Sequence, residues 1–114
     1  MNPQLVGEAG AVHEKLQVFD ALTVATGWEW TMEELLATGE RLFNLKRLIN
    51  GRLGVTAGDD TLPTRLLHEP RPSGSAAGVL PDLDLMLAEY YALRGWGADG
   101  MPTAERLAAL DLEV

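Results

Sequence analysis

The sequence predicts an all-α fold: a small, irregular bundle of about four helices with a long connection rich in glycine and proline. Apolar residues recur at intervals of three and four along several segments, which is the spacing of one helix face. Residues typical of helix ends bound these segments, and no segment shows the sustained alternation of a half-buried strand. We expect the 114 residues to form a single helical domain covering residues 1–114.

The first helix is predicted over Glu8–Thr26. Its periodic face is marked by four residues at helical spacing, Val12, Leu16, Phe19 and Thr23. Gly27 follows, and glycine readily takes the left-handed conformation that ends many helices. We therefore expect this helix to stop at Gly27.

The second helix is predicted over Thr31–Ile49. Thr31 and Glu34 have the spacing of a capping box, in which each side chain accepts a hydrogen bond from the other residue's backbone N–H. One apolar face is formed by Leu35, Leu42, Leu45 and Ile49. Cations complement the dipole of the C-terminal half, where Arg41, Lys46 and Arg47 lie. Asn50-Gly51 predicts the end of the helix.

The connection Gly51–Pro81 follows, and its 31 residues include five glycines and four prolines. It has room for at most one helical turn, near Leu62–His68. Long connections without regular structure are uncommon unless they have a use. Seven apolar residues in it need cover: Leu53, Val55, Leu62, Leu66, Leu67, Val79 and Leu80. We expect this segment to be mobile or to lie in a contact between chains, as in a homo-oligomer.

Two shorter helices complete the prediction. The third spans Pro81–Arg94, with Pro81 near its first turn and Gly95 at its end. Asp82 and Asp84 are interpreted as acidic charge in that first turn. The fourth begins after Thr103, a suitable N-cap, and runs to about Leu110.

Composition excludes several classes of function. Nine Lys and Arg against 17 Asp and Glu give a net charge of −8, which disfavours binding to nucleic acid and to anionic membranes. No apolar run is long enough to span a bilayer. With zero cysteines the chain has no disulfide and no thiolate ligand. A cytoplasmic location is consistent with that count.

Gly95-Trp96-Gly97-Ala98-Asp99-Gly100 matches the G-x-G-x-x-G pattern of dinucleotide sites. That motif requires a preceding strand, whereas here it follows a predicted helix. We interpret it as a helix C-cap followed by a turn.

Asp59-Asp60 and His68-Glu69 place oxygen and nitrogen ligands in one connection. Their spacing is not that of a calcium loop, and the other histidine, His13, is distant in sequence. We expect Asp59 or Asp60 to cap the Leu62–His68 turn or to pair with Arg65.

The remaining side chains do not assemble an active site. Ser73 and Ser75 lie in a Gly/Pro-rich segment rather than in a nucleophile elbow. The aromatic residues could line a pocket but more often serve as core or interface anchors; they are Trp28, Trp30, Trp96, Tyr90 and Tyr91. We assign no catalytic, cofactor-binding or metal-ligating residue.

An ordered set of short motifs resembles a known family. The set begins with Thr26-Gly27-Trp28, Gly39-Glu40-Arg41-Leu42, Asn44-Leu45-x-Arg47 and Asn50. It continues with Asp59-Asp60-x-Leu62-Pro63-x-Arg65, Glu69-Pro70, Met86-Leu87-x-Glu89-Tyr90-Tyr91-x-x-Arg94-Gly95-Trp96 and Gly100-x-Pro102-Thr103. In order and spacing it resembles the C-terminal region of the tungsten- or molybdenum-pterin aldehyde ferredoxin oxidoreductases.

The resemblance implies a part of a larger enzyme. Family members oxidise aldehydes to carboxylic acids and pass the electrons through a [4Fe–4S] cluster to ferredoxin. The resemblance covers only the far C-terminal end of the family chain, and the cluster, pterin-binding and acid/base positions lie upstream of it. The resemblance therefore implies that this chain is a scaffold fragment that is inactive alone and has no cofactors of its own. Its implied partners are the upstream domains of the enzyme or a separately encoded large subunit.

An alternative function is a separately encoded helical binding module that lacks enzyme activity and interacts with a partner chain. A continuous upstream reading frame carrying C-x-x-C-x-x-x-C would favour the enzyme fragment, and a stop codon before Met1 would favour the binding module.

Overall fold

The computed structural model describes residues 17–113. In chain order, this part contains α1 (Val18–Thr26), α2 (Met32–Arg52), a 3-10 helix (Ala57–Asp59), α3 (Thr64–His68), α4 (Leu83–Arg94) and α5 (Ala104–Ala109). Between residues 17 and 113 no strand forms, and extended pairing is limited to isolated bridges. The predicted all-α class is confirmed. Across the same residues, no helix is both long and apolar enough to cross a membrane.

Helix α1 corresponds to the second half of the predicted helix Glu8–Thr26, whose residues 8–16 lie outside the described part of the chain. It ends as predicted. Gly27 has φ of 72°, in the left-handed region, and its N–H donates to the carbonyl of Thr23 at 2.8 Å. Glycine takes this conformation without the steric cost of a Cβ.

Helix α2 begins as predicted and ends later than predicted. Glu34 N–H donates to Thr31 Oγ1 at 3.1 Å, and Thr31 N–H donates to Glu34 Oε2 at 3.0 Å, so the capping box is present. The predicted end at Asn50-Gly51 is wrong, because the helix continues to Arg52. Gly51 allows a close approach instead: a Cβ there would lie 1.9 Å from Met101 Cε.

The connection between α2 and α4 contains two short helical pieces. The predicted turn near Leu62–His68 is present as α3. The 3-10 helix was not predicted; its capping box joins Thr56 and Asp59, and Thr56 N–H donates to Asp59 Oδ2 at 2.8 Å. Every residue from 68 to 80 is exposed, including Val79 and Leu80. The connection is thus partly ordered by local caps while much of its apolar surface faces solvent.

Helices α4 and α5 have local caps at their beginnings. Helix α4 starts at Leu83 rather than at Pro81, because the N-cap is Asp82, whose side chain accepts from Leu85 N–H at 3.2 Å. It ends at Gly95 with φ of 72°, as predicted. Thr103 caps α5 as predicted, accepting from Arg106 N–H at 3.2 Å.

The chain divides after Phe43 into two compact units. The core of the second unit is small: its buried side chains include Tyr91, Trp96, Leu110 and Pro102, together with the fully buried Asn44. A fully buried amide in such a core needs hydrogen-bond partners. The candidate site described next includes the groups that form hydrogen bonds with Asn44 and with its neighbour on the helix, Arg47.

Candidate functional site

The core-facing side of α2 in the second unit carries two polar side chains, the fully buried Asn44 and the largely buried Arg47. Asn44, Arg47 and Gly51 are spaced by three and four residues and so share one face of the helix. Leu45 and Ile49, which belong to the apolar face predicted from the sequence, are 41% and 50% exposed. The helix therefore presents hydrogen-bonding groups to the core and leaves these leucine and isoleucine side chains largely in solvent.

Arg47 and Asp60 form the central pair of the site. Arg47 Nη1 donates to Asp60 Oδ1 at 2.8 Å and Nη2 donates to Oδ2 at 2.5 Å, which is the two-pronged geometry of a strong guanidinium–carboxylate pair. The side chains are only 11% and 22% exposed. Because little water reaches the pair, the charges interact more strongly than they would at an exposed site.

Two further groups complete the hydrogen bonding of this pair. Arg47 Nε donates to the carbonyl of Gly100 at 2.7 Å, and the hydroxyl of Tyr91 donates to Asp60 Oδ2. Gly100 is buried with φ of 73°, and a Cβ there would lie 2.6 Å from Arg47 Nη2 and 3.0 Å from the Tyr91 hydroxyl. Both the backbone conformation and the available space therefore call for glycine at this position.

An aromatic cluster covers the network. Trp96 Nε1 donates to the buried Oδ1 of Asn44 at 2.8 Å, and the Arg47 guanidinium lies 5.0 Å from the centre of the Trp96 ring. Tyr91 and Trp96 have ring centres 6.0 Å apart, and Tyr90 meets Trp96 edge-on at 5.8 Å. The indole thus contributes apolar cover, a hydrogen bond and a cation–π contact at once.

The electrostatics keep each group of the network in one protonation state near neutral pH. The hydrogen bonds from Arg47 hold the pKa of Asp60 below its usual value, and those same bonds raise the pKa of Arg47. Burial, followed by the bond to Asp60, raises the pKa of Tyr91. General acid–base chemistry needs a group that titrates near the working pH. This arrangement is suited to holding structure instead.

The predicted roles of the acidic residues in the connection are wrong. Asp60 neither caps α3 nor pairs with Arg65, since it binds Arg47 and Tyr91. Asp59 caps the 3-10 helix. Arg65 instead pairs with Glu69 at 3.3 Å, four residues later on the surface. Arg47, predicted to act on the helix dipole, lies inside α2 and binds across the unit.

The Gly95–Gly100 pattern forms a helix cap and a turn, as predicted. Gly95 ends α4, and Gly100 N–H donates to the carbonyl of Gly97 at 2.9 Å. Asp99 Oδ1 accepts from Met101 N–H at 3.0 Å within the same turn. The motif places the Gly100 carbonyl against Arg47 and has no preceding strand.

The aromatic residues named from the sequence fall into two groups. Tyr91 and Trp96 are core residues, whereas Trp28 is exposed in the first unit with its ring centre 6.0 Å from that of Trp30. Within residues 17–113, no three His, Asp or Glu side chains come together as a metal site. Sequence reasoning named the residues of the network singly but missed their pairing.

In the second unit, Asn44 and Arg47 of α2 are thus hydrogen-bonded to groups from other segments packed around them. The chain matches the family described as "Aldehyde ferredoxin oxidoreductase, domains 2 & 3" over residues 6–112. It belongs to that family, as the motif resemblance predicted.

Relatives from Pyrococcus and Thermococcus species are similar to this chain over most of its length. The tungsten-containing aldehyde ferredoxin oxidoreductase of Pyrococcus furiosus is 46% identical over 94 residues, and that of Pyrococcus horikoshii is 43% identical over 95. The protein of the same name from Thermococcus kodakarensis is 43% identical over 94 residues. Each alignment covers 82% of this chain but only 16% of the relative.

Proposed function

We propose that this chain is a scaffold part of an enzyme of the aldehyde ferredoxin oxidoreductase type and that it has no catalytic activity alone. The observation that carries the proposal is the match over residues 6–112 to a family whose relatives are much longer, since the 94 aligned residues cover 82% of this chain but only 16% of the P. furiosus relative. In such an enzyme an aldehyde and water would give a carboxylic acid and two protons, and the two electrons would pass to ferredoxin. We also propose that this enzyme is located in the cytoplasm.

The residues of this chain do not fit the cofactors that such an enzyme needs. A [4Fe–4S] cluster is held by cysteine thiolates, and the sequence contains zero cysteines. The relatives are named as tungsten-containing, yet the strongest oxygen donor of the site, Asp60, is already engaged by Arg47 and Tyr91. We therefore assign tungsten, pterin and cluster binding to other parts of the enzyme.

The network suits the proposed scaffold role because it joins separate segments of the second unit. Arg47 from α2, Asp60 from the connection and Tyr91 from α4 meet in one set of hydrogen bonds. Buried hydrogen-bonded groups of this kind favour one packing arrangement, since any other would leave a charge unpaired. A rigid C-terminal element can in turn hold neighbouring parts of an enzyme in position.

A non-enzymatic binding module is the second candidate function. It is favoured by the exposure of large apolar side chains on helices of the second unit, such as Ile49 on α2 and Leu93 on α4. Exposed apolar surface of this kind is typical of interaction sites. The module would keep the family fold and bind a partner chain without supporting aldehyde oxidation.

A reconstitution experiment tests the scaffold proposal. The P. furiosus relative would be prepared without the segment that aligns with this chain and assayed for aldehyde-dependent dye reduction with and without the full 114-residue chain. We expect activity only in the mixture. Ser73→Ala should restore activity like the unaltered chain, whereas Asp60→Asn should restore less. Aldehyde oxidation by this chain alone, or a mixture as inactive as the truncated relative, would contradict the proposal.

A further inference from the structure

The outer face of α2 in the second unit is apolar with a basic border. Leu45 and Ile49 are one helical turn apart and remain 41% and 50% exposed. Lys46 and Arg52 are also exposed and flank these two residues on the helix surface. In a chain of net charge −8, this is a local concentration of positive charge around apolar side chains.

The outer face of α4 has the opposite charge. Leu85, Glu89 and Leu93 follow each other at four-residue intervals, and Met86 lies beside them. The apolar side chains are largely uncovered: the exposed fraction is 55% for Leu85, 77% for Leu93 and 54% for Met86. Glu89 within the row and Asp82 at the helix start give this apolar surface an acidic border.

We propose that the outer face of α2 in one copy of this chain binds the outer face of α4 in a second copy. Leu45 and Ile49 would pack against Leu85 and Leu93, with the basic border of one face opposite the acidic border of the other. Complementary charges select this pairing, since two α2 faces or two α4 faces would bring like charges together. The partner of the α2 face is thus identified as α4 of a second copy by its acidic charge as well as by its apolar side chains.

Such a contact is heterologous, because each copy uses two different surfaces. A heterologous contact leaves one free face of each kind on a dimer, so further copies can add unless the rotation closes a ring. We therefore expect a concentration-dependent series of dimers and larger species rather than a single dimer. Added salt should weaken the association, since the borders are exposed charges.

Sedimentation velocity of the full chain and two surface variants tests the proposal. The α2 variant is Leu45→Ser with Ile49→Ser, and the α4 variant is Leu85→Ser with Leu93→Ser. Each variant alone should be monomeric, whereas an equimolar mixture should form a dimer and stop there, because only one productive pair of faces remains. Val79→Ser is the matched control: it removes an exposed apolar side chain elsewhere and should leave the association unchanged.

A charge exchange provides a second readout that does not depend on apolar contacts. Lys46→Glu and Glu89→Lys should each weaken association alone, and mixing the two variants should restore it at least tenfold over either one. Circular dichroism should show the same helix content in every variant. A strictly monomeric unaltered chain, a variant that still dimerises alone, or mixtures that do not recover would each overturn the proposal and leave these faces to a different partner.

Discussion

Arg47 and Asp60 are joined by two parallel hydrogen bonds of 2.8 and 2.5 Å, although they are 13 residues apart in the chain. The pair links the C-terminal half of α2 to the residue that follows the 3-10 helix. Tyr91 and the carbonyl of Gly100 complete its hydrogen bonding, so both charges are compensated on several sides. The pair therefore joins α2, the connection and α4 of the second unit in one set of hydrogen bonds.

Asp60→Asn should destabilise the chain substantially. The change leaves the largely buried Arg47 guanidinium without a counter-charge, and removing one partner of such a pair costs about 2–4 kcal/mol. Glu69→Gln is the matched control, because it breaks the ion pair with Arg65 on side chains that are 69% and 84% exposed. That change should alter the free energy of unfolding by less than about 1 kcal/mol. Urea unfolding of both variants measures the difference, and equal losses would contradict the structural role of Asp60.

Acid should remove the contribution of Asp60 to stability. Its pKa is lowered in the folded chain by the hydrogen bonds from Arg47, so the folded state binds this proton more weakly than the unfolded state does. The stabilisation is therefore fully present above the unfolded pKa, near pH 4, and is lost as the pH falls through the lower folded value.

Unfolding free energies measured from pH 7 downwards check this expectation. The difference between the unaltered chain and Asp60→Asn should stay constant down to about pH 5 and shrink below about pH 4. A difference that grows towards low pH, or that changes most between pH 5 and 7, would show that another group carries the effect.

Thr31→Ala should lower stability by about 1 kcal/mol, since it removes the N-cap of α2 and its bond to Glu34 N–H. Ser73→Ala is the control: the residue is exposed in the connection, and its change should be nearly silent. Thermal unfolding followed by circular dichroism compares the two variants. Equal shifts in melting temperature would mean that the capping box contributes nothing measurable.

Local chemistry made the helix ends predictable. The capping box of Thr31 and Glu34, the N-cap Thr103 and the C-terminal glycines Gly27 and Gly95 each act within four residues of their partners. Such signals can be read from one sequence because the residues and the groups they bind are neighbours in the chain. The end of α2 was predicted wrongly at Gly51, a glycine that lies against Met101, 50 residues further along the chain.

The network could not be predicted in the same way, because its contacts are long-range. Tyr91 and Asp60 are 31 residues apart, and Trp96 and Asn44 are 52 apart. The apolar face of α2 is also not its core-facing side, since Leu45 and Ile49 form the regular pattern while Asn44 and Arg47 face the core. Periodicity identifies the apolar face of a helix, but it does not show whether that face is buried within the same chain.

Gly100→Ala should destabilise the chain more than the same change at Gly78. Both glycines have φ of 73°, so alanine at either position meets the same left-handed strain of about 1–2 kcal/mol. They differ in surroundings: a Cβ at Gly78 meets nothing within 4 Å, whereas one at Gly100 would lie 2.6 Å from Arg47 Nη2. To accommodate it, the guanidinium would have to move away from Asp60 and from the Gly100 carbonyl, which adds roughly 2 kcal/mol for a weakened buried charge pair.

Paired urea titrations of the Gly100→Ala and Gly78→Ala variants isolate this second contribution, because the backbone strain cancels in the comparison. A loss at Gly100 no larger than at Gly78 would mean that the network tolerates displacement of Arg47, contrary to the structure.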